Sequence, residues 1–206
     1  VTIEDPIEYL YKDSKAIVSQ REIGLDVANY EEALTYLMRQ DPDVVLVGEM
    51  RDAQTVTAGM RAAETGHLVF GTLHSTNASQ AIHRTLDLFP PGERDLVRQS
   101  LAISLKAVIS QVLIPSIQGG TDRVPAVEIL LANPMVRKLI AEGREGDLPS
   151  VIRACQREGM QDLTDHLCEL VKSGTVDPKE AYRFAPNQDE LKMALKGIRT
   201  VAEGIL

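Results

Sequence analysis

The hydrophobic and polar positions of the first half of the chain alternate between short apolar runs and longer segments with helical spacing. Residues 44–47 and 68–70 are continuous apolar runs, which is typical of strands in a parallel sheet that is covered on both faces. Between them, residues 53–64 follow Asp52, a suitable helix cap, and end before Gly66, a usual stop signal. This order of strand, helix and strand predicts an α/β layer.

Weaker signals extend this layer on both sides. Residues 2–3 and 16–19 are short strand candidates, and Asn29 is a suitable cap for the helix that follows them. The apolar residues of that helix fall on one face: Ala33, Leu34, Leu37 and Met38. Two more helices are predicted, one that runs through Leu86 and one that starts near Glu93.

The second half of the chain has a different pattern. Residues 108–114 and 124–131 predict the two strands of a hairpin, with Gly119 and Gly120 between them. After Asn133 the apolar residues are spaced at three and four, which predicts a small helical bundle. The predicted breaks within this bundle share turn-forming residue types: Gly143, Gly159, Gly174 and Pro186.

Composition narrows the classes of function. The 206 residues are 44% hydrophobic and 25% charged, with a net charge of −8, and the basic residues are scattered among acidic ones. We therefore expect no nucleic-acid partner, because a nucleic-acid groove usually needs a basic patch. No apolar stretch reaches the length of a membrane-spanning helix, so no transmembrane segment is expected. Val1 begins inside a predicted strand, which indicates a fragment of a longer protein.

The two cysteines add little to the candidate chemistry. Cys155 and Cys168 lack the spacing of a metal site, so we expect no zinc. Two buried thiols in a reducing compartment are favoured over a disulfide.

The most informative segment runs from Asp41 to Asp52. Its apolar run would deliver Glu49 to the carboxyl end of a buried strand, where open α/β sheets bind their ligands. A carboxylate there can hold the water shell of Mg²⁺, and Gly48 lets the backbone come close to a bound molecule. The alternative is an ordinary acidic residue between a strand and a helix cap.

A second candidate segment is acidic. Three carboxylates, Glu4, Asp5 and Glu8, occupy five residues at the end of the first predicted strand. Like charges this close repel one another unless a cation or water separates them. Beside a bound nucleotide, one of them could position and deprotonate an attacking water. The alternative is a solvated acidic turn.

A third segment places histidines at both ends of a strand. His67 precedes the run 68–70, and His74 follows it beside a predicted helix cap. His67 could donate a hydrogen bond to a phosphate or to a catalytic carboxylate. The alternative for each is a hydrogen-bonded structural histidine.

In their order along the chain, these segments resemble the sequence boxes of the secretion ATPases. Residues 4–8 resemble the aspartate box, residues 43–49 the Walker B strand, and residues 66–75 the histidine box. The similarity extends from Val1 to about Pro186, which is nearly the whole chain.

The resemblance implies a fold and a division into domains. Residues 1–132 would form a partial RecA-like P-loop NTPase core, α/β in class and without its first strands. Residues 133–206 would form a small helical C-terminal subdomain. No Gly-x-x-x-x-Gly-Lys-Ser/Thr loop occurs in the chain, and the resemblance places this phosphate-binding loop upstream of Val1.

Two stretches favour the pilus retraction branch of this family. Residues 134–140 resemble an Ala-Ile-Arg-Asn-Leu-Ile motif of the retraction motors, and residues 159–163 resemble a second stretch of that branch. Three motif residues are kept: Arg137, Leu139 and Ile140. Three positions depart from the motif: Met135, Val136 and Lys138. Assembly and type II secretion ATPases commonly carry a four-cysteine zinc module, which two cysteines cannot build.

The resemblance also implies roles for single residues. The longer parent would hydrolyse ATP with Mg²⁺ in a homohexameric ring and so drive pilus retraction and twitching motility. Glu8 would be the first choice for the base that activates water, with Glu4 behind it. Glu49 would hold Mg²⁺ through water, and His67 and His74 would sense the γ-phosphate.

Mechanical output would use Arg137, Leu139 and Ile140 against the pilus machinery at the inner membrane. The resemblance thus implies a cytoplasmic protein that reaches the membrane only through partners. The isolated chain is expected to be inactive, because it lacks the phosphate-binding loop. The alternatives are a pilus assembly, type II secretion or DNA-transfer ATPase of the same superfamily, or a non-catalytic adaptor with the same fold.

Overall fold

The computed structural model describes residues 1–37, 39–120 and 122–198. Met38, which was predicted on the apolar helix face, lies outside the described residues, as do positions 199–206 of the predicted helical subdomain. The chain divides into two compact units. The first contains residues 1–74 and 84–104, and the second contains residues 75–83 and the described residues from 105 onward.

Short strands and helices alternate along the first unit. In chain order they are β1 (Thr2–Glu4), β2 (Gln20–Glu22), α1 (Tyr30–Leu37), β3 (Val44–Val47), α2 (Ala53–Glu64), β4 (Leu68–Gly71), α3 (Ala78–Asp87) and α4 (Arg94–Ser104). The division between the units falls within α3.

The four strands form one parallel sheet in the order β2-β1-β3-β4. Ile3 is level with Val47 in β3, and Val45 is level with Val69 in β4. The predicted α/β fold is therefore confirmed. The strand at the centre of the Asp41–Asp52 segment lies in the interior of the sheet, between β1 and β4.

One face of the sheet is buried and the other is open. Ile3, Val45 and Val47 are fully buried with apolar residues of α1, which are Ala33, Leu34 and Leu37. Leu68 and Phe70 point to the opposite face, where they are 44% and 51% exposed. The expectation that the apolar runs 44–47 and 68–70 are covered on both faces is therefore wrong, because Val44 is 39% exposed and β4 leaves Leu68 and Phe70 in solvent.

Local capping signals were correct. Asn29 accepts a hydrogen bond from the N–H of Glu32 (2.8 Å), and Asp52 accepts one from the N–H of Thr55 (2.7 Å). Gly66 ends α2 with a positive φ of 102°, a conformation that glycine adopts without steric cost. These helices therefore start and stop where short-range side-chain chemistry predicted.

The strand predicted at residues 16–19 is wrong, since the strand is Gln20–Glu22. The side chains of this strand are polar, so a search for hydrophobic periodicity does not detect it. The Gln20 side chain binds the loop before it, because its Nε2 donates to the Tyr9 carbonyl (2.9 Å) and its Oε1 accepts from the Tyr11 N–H (2.7 Å). This strand is fixed by tertiary hydrogen bonds rather than by apolar burial.

The second unit begins with a two-stranded antiparallel hairpin and continues with helices. The hairpin strands are β5 (Ala107–Pro115) and β6 (Arg123–Leu131). The helices are α5 (Pro134–Ala141), α6 (Leu148–Ala154), α7 (Leu163–Lys172), α8 (Pro178–Phe184) and α9 (Gln188–Leu195), with 3-10 turns at Glu145–Asp147 and Gln156–Glu158. The predicted hairpin and helical tail are thus both present.

The hairpin and the helices of this unit share one core. Ile114 and Ala126 of the hairpin are buried with Leu167, Ala181 and Leu191 of the last three helices. The division of the chain at residue 132 stays a prediction. What the structure shows is that the hairpin packs with the helices that follow it.

Candidate functional site

The parallel sheet brings three candidate residues to one edge. Glu4 is the last residue of β1, Glu49 follows the end of β3 by two residues, and His74 follows the end of β4 by three. The carboxyl ends of parallel strands lie on the same edge of a sheet, which is where open α/β sheets bind ligands. The edge formed by these three strand ends is the candidate site.

Backbone contacts fix the loops at this edge. The Gly48 N–H donates to the Ile3 carbonyl (2.7 Å), and the Met50 N–H donates to the Thr72 carbonyl (3.0 Å). The Thr72 hydroxyl donates to the Gly48 carbonyl. A Cβ at Gly48 would lie 3.1 Å from the Glu4 Cα, so a side chain here would crowd the backbone of β1. From the sequence, Gly48 was expected to let the backbone come close to a bound molecule instead.

The Glu49 carboxylate is held by two cationic or polar side chains. The Nε and Nη2 atoms of Arg51 lie 2.6 and 2.5 Å from Oε2, and the Nε2 atom of His74 lies 3.3 Å from Oε1. The hydrogen bond from Arg51 lowers the pKa of Glu49, with a smaller contribution from the charge of Arg51. The carboxylate is therefore ionised at neutral pH.

Tyr30 is a site residue that the sequence analysis missed. It is the first residue of α1, and burial raises the pKa of its phenol, with further increases from the charges of Asp5 and Glu49. The Glu49 N–H binds the phenol, which acts in the opposite direction. A neutral hydroxyl thus stands beside the candidate carboxylates. No local motif marks a tyrosine in the first turn of a helix, so only the fold could reveal it.

The two candidate bases lie in different environments. Glu4 is half-buried, and its Oε1 accepts hydrogen bonds from the Thr2 hydroxyl (2.5 Å) and the Gln20 amide (3.0 Å). Glu8 lies in the exposed loop between β1 and β2. Glu4 is therefore engaged by its neighbours, whereas Glu8 is open to solvent. The preference for Glu8 as the base stays a prediction.

The structure separates the two histidines. His67 precedes β4 at the amino end of the strand, where its Nδ1 lies 3.0 Å from the Ala62 carbonyl and 3.2 Å from the Thr65 hydroxyl. Because a carbonyl only accepts, the contact with Ala62 requires a proton on Nδ1. His74 alone joins Glu49 at the carboxyl edge. The sensing role of His67 stays a prediction, and its described contacts are those of a residue that fastens the end of α2.

The three predicted output residues differ in exposure. Leu139 and Ile140 are fully buried in the second unit, and Arg137 is half-buried with its Nη2 donating to the Leu105 carbonyl (3.0 Å). The exposed residues of the same helix include Met135 and Lys138. The output role of all three residues stays a prediction, and buried Leu139 and Ile140 would contribute to it through the fold.

The carboxylates at the edge fit a water-mediated Mg²⁺ site. Mg²⁺ uses one or two protein carboxylates together with water and phosphate oxygens, and the ionised, partly exposed Glu49 meets that requirement. Within the described residues, no group of three or more His, Cys, Asp or Glu side chains is placed to hold a metal by itself. The two thiols are free, with Cys168 buried and Cys155 half-buried, and burial raises the pKa of Cys155.

Comparisons with known proteins identify the family of the chain. The profile of a family described as "Type II/IV secretion system protein" matches residues 1–183. The chain is 46% identical to the "Twitching motility protein" of Neisseria gonorrhoeae, over 93% of this chain and 51% of that protein. It is also 46% identical to the "Type IV pilus retractation ATPase PilT" of Pseudomonas aeruginosa, over 90% of this chain and 53% of that protein.

A solved structure gives the same result for the fold. The crystal structure of the pilus retraction motor PilT with bound ADP aligns with a TM-score of 0.79 and 46% identity, over 93% of this chain and 53% of that one. The predicted resemblance to the secretion ATPases and the partial RecA-like fold are confirmed. The chain spans about half the length of the curated relatives it matches. In the part of the chain that the structure describes, no helix is long and apolar enough to cross a membrane.

Proposed function

The chain belongs to the family of type II/IV secretion system proteins, and on that premise we propose that it is the nucleotide-handling part of a motor ATPase that retracts type IV pili. The observation that carries this proposal is the carboxyl edge of the parallel sheet, where Glu49 contacts His74 and Glu4 ends the neighbouring strand β1. Relatives that share nearly half of the residues are named for twitching motility and pilus retraction.

At this edge each residue would have a separate task. Glu49 would hold Mg²⁺ through water, and Mg²⁺, when bound, would neutralise charge on the phosphates of ATP. Glu8 would accept the proton of the attacking water, since its exposed loop leaves the carboxylate free to reach a nucleotide. Glu4 would orient that loop through its bonds to Thr2 and Gln20.

His74 would report on the γ-phosphate. It contacts Glu49 through Nε2 and is itself 85% exposed, so its ring can turn toward a bound nucleotide. His67 would act on the same signal from the other end of β4. A change at His74 would pass into α3, which starts at Ala78, four residues further along the chain.

The remaining half of the longer relatives would supply the phosphate-binding loop. A parallel sheet is normally covered on both faces, and the exposed Leu68 and Phe70 are the surface on which further chain would pack. The assembled motor would be a homohexamer in the cytoplasm. It would act on the pilus machinery at the inner membrane, with α5 as its point of output.

The proposal is tested with the full-length protein and the 206-residue chain side by side. The full-length protein should hydrolyse ATP and restore twitching motility to a strain that lacks it. The 206-residue chain should do neither, and it should not bind ATP tightly, because backbone N–H groups and the lysine of a phosphate-binding loop are missing. Micromolar ATP affinity of the short chain, measured by calorimetry, would contradict this account.

A second test separates output from chemistry. In the full-length protein, Arg137→Ala should leave ATP hydrolysis and ring assembly near wild type while pilus retraction fails. If both ATP hydrolysis and motility are lost, Arg137 acts in the catalytic cycle or in the fold. A role in the fold would operate through its hydrogen bond to the Leu105 carbonyl. Normal motility of this variant would show that Arg137 of α5 is not needed for pilus retraction.

A further inference from the structure

Arg51 occupies the carboxylate that the proposed function assigns to the metal. Both Nε and Nη2 of Arg51 approach the same oxygen of Glu49, Oε2, at 2.6 and 2.5 Å. A carboxylate oxygen has two lone pairs, so the two N–H groups fill the hydrogen-bonding capacity of Oε2. The other oxygen, Oε1, faces His74 at 3.3 Å. Water bound to a metal therefore meets a carboxylate with most of its acceptor sites in use.

The Arg51 side chain is free to leave this position. It is 61% exposed, whereas the Glu49 side chain is 23% exposed, so the arginine can change rotamer without disturbing the core. Arg51 follows the end of β3 and precedes α2, outside regular structure. Its motion requires no movement of the sheet.

Asp5 offers Arg51 a second acceptor at the same edge of the sheet, because it follows β1, the neighbour of β3. The hydrogen bond and the charge of Glu49 raise the pKa of Arg51, and the charge of Asp5 adds to this effect. Asp5 is exposed in the loop after β1. A guanidinium released from Glu49 thus has a carboxylate partner on the neighbouring strand end.

We propose that Arg51 is a latch that competes with a divalent cation for Glu49. The latch is closed when the guanidinium lies on Oε2, and it opens when a divalent cation takes Glu49 and the guanidinium turns to Asp5 or solvent. This inference rests on the proposed role of Glu49 as a metal-linked carboxylate. It gives a function to the arginine of the Asp41–Asp52 segment, which has none in the sequence analysis.

The latch has a physical consequence that can be measured without ATP. Two like charges cannot share Glu49 at short range, so cation binding and the Arg51–Glu49 pair exclude each other. Removing the guanidinium should therefore strengthen cation binding at this edge. Long-range charge alone would have a weaker and more diffuse effect, because salt screens exposed charges beyond about 10 Å.

The probe is Mn²⁺, whose paramagnetism broadens the NMR signals of nearby side chains. In the 206-residue chain, the ring signals of His74 should broaden as Mn²⁺ is added, before those of His67 at the opposite end of β4. Arg51→Ala should reduce the Mn²⁺ concentration at half-broadening about three- to fivefold, the scale of an exposed ion pair. Glu49→Gln should abolish the selective broadening.

Two matched variants sharpen the result. Arg51→Lys keeps the charge but not the two-pronged contact, so it should shift the midpoint in the same direction as Arg51→Ala, by about twofold. Arg144→Ala removes a similarly exposed arginine that pairs with Asp147 and Glu142, and it should leave the His74 midpoint unchanged. Circular dichroism of each variant confirms that it is folded.

The outcomes separate the latch from the proposed function. Selective broadening with equal midpoints in wild type and Arg51→Ala would overturn the latch while leaving Glu49 as a metal-linked residue. A gain in Arg51→Ala that is absent in Arg51→Lys would show that any cation at position 51 competes with Mn²⁺, and would overturn the role of the two-pronged guanidinium contact. No selective broadening of His74 in any variant would overturn the metal role of Glu49, and the latch with it.

Discussion

The two compact units of this chain bury their apolar residues in different ways. In the first unit, one face of a four-stranded parallel sheet is packed by α1, and the other presents Leu68 and Phe70 to solvent. In the second unit, a two-stranded hairpin is too small to form a core alone, so it shares one with α7, α8 and α9. Both units expose apolar side chains as well, since Ile109 and Leu113 of the hairpin are 65% and 48% exposed.

This difference suggests how stability and chemistry are divided. The edge that holds Glu49 and His74 belongs to the unit that leaves apolar surface for further packing. Fully buried Leu139, Ile140 and Leu167 belong to the second unit, away from the candidate acids and histidines in the sequence. Changes at the exposed edge of the first unit should thus affect function more than stability, whereas changes at these buried positions of the second unit should mainly affect stability.

The largest effect is expected at Glu49. In the full-length protein, Glu49→Gln should retain nucleotide and lose turnover by about a hundredfold or more, because it removes a metal-linked charge. Glu8→Gln should behave similarly, and Glu4→Gln more mildly. The measurement is steady-state ATP hydrolysis, with Glu142→Gln in the second unit as the control. If Glu4→Gln proved far more damaging than Glu8→Gln, the assignment of the base would be wrong.

The next largest effect is a loss of stability at a buried position of the second unit. Leu139→Ala should lower the free energy of unfolding of the chain by about 2–5 kcal/mol, because it removes a fully buried side chain and leaves a cavity. Urea unfolding followed by circular dichroism measures this loss. Lys138→Ala, one residue away and exposed, is the control and should change stability little. Equal losses of stability in the two variants would contradict a contribution of buried Leu139 to the core.

A smaller effect is expected at Glu128, a buried acid of the hairpin that is only 9% exposed. Its Oε1 accepts a hydrogen bond from the Ala78 N–H (2.8 Å), while burial raises its pKa and the charge of Asp162 raises it further. A carboxyl whose pKa is higher in the folded state stabilises the fold at low pH. That contribution is lost as the pH rises through the folded-state pKa.

Glu128→Gln keeps an acceptor for Ala78 and removes the titration. The stability of the variant relative to wild type should therefore increase as the pH rises above about 4.3, the ordinary pKa of a glutamate, because the wild-type carboxyl then loses its contribution. Urea unfolding at several pH values measures this difference. Glu169→Gln, at an exposed position of α7, should show no such trend, and a difference for Glu128→Gln that stays constant with pH would refute the argument.

The smallest effect is expected on the open face of the sheet. Phe70→Ser should change the free energy of unfolding of the 206-residue chain by less than about 1 kcal/mol, because the ring is half exposed. In the full-length protein the same change should be clearly destabilising if further chain packs on this face. Thermal unfolding of both lengths measures the contrast. Equal losses of stability in the two proteins would show that no further chain packs on the open face of the sheet.

Much of this fold was predictable because it depends on neighbours in sequence. The caps at Asn29 and Asp52, the stop at Gly66 and the delivery of Glu49 to a strand end follow from short-range hydrogen bonding and periodicity. The hairpin of the second unit follows from two apolar runs joined by glycines. The strand Gln20–Glu22 did not follow, because its pairing with β1 depends on polar contacts with a distant loop.

The sequence by itself determined the family, the order of the elements and the candidate acids, because motifs and helical or strand periods are written in adjacent residues. Only the tertiary structure decided which candidates meet. It joined His74 rather than His67 to Glu49, put Tyr30 beside them, and linked Glu128 to Ala78. These contacts depend on strand order and register, which bring together residues far apart in the chain and are not encoded in any local pattern.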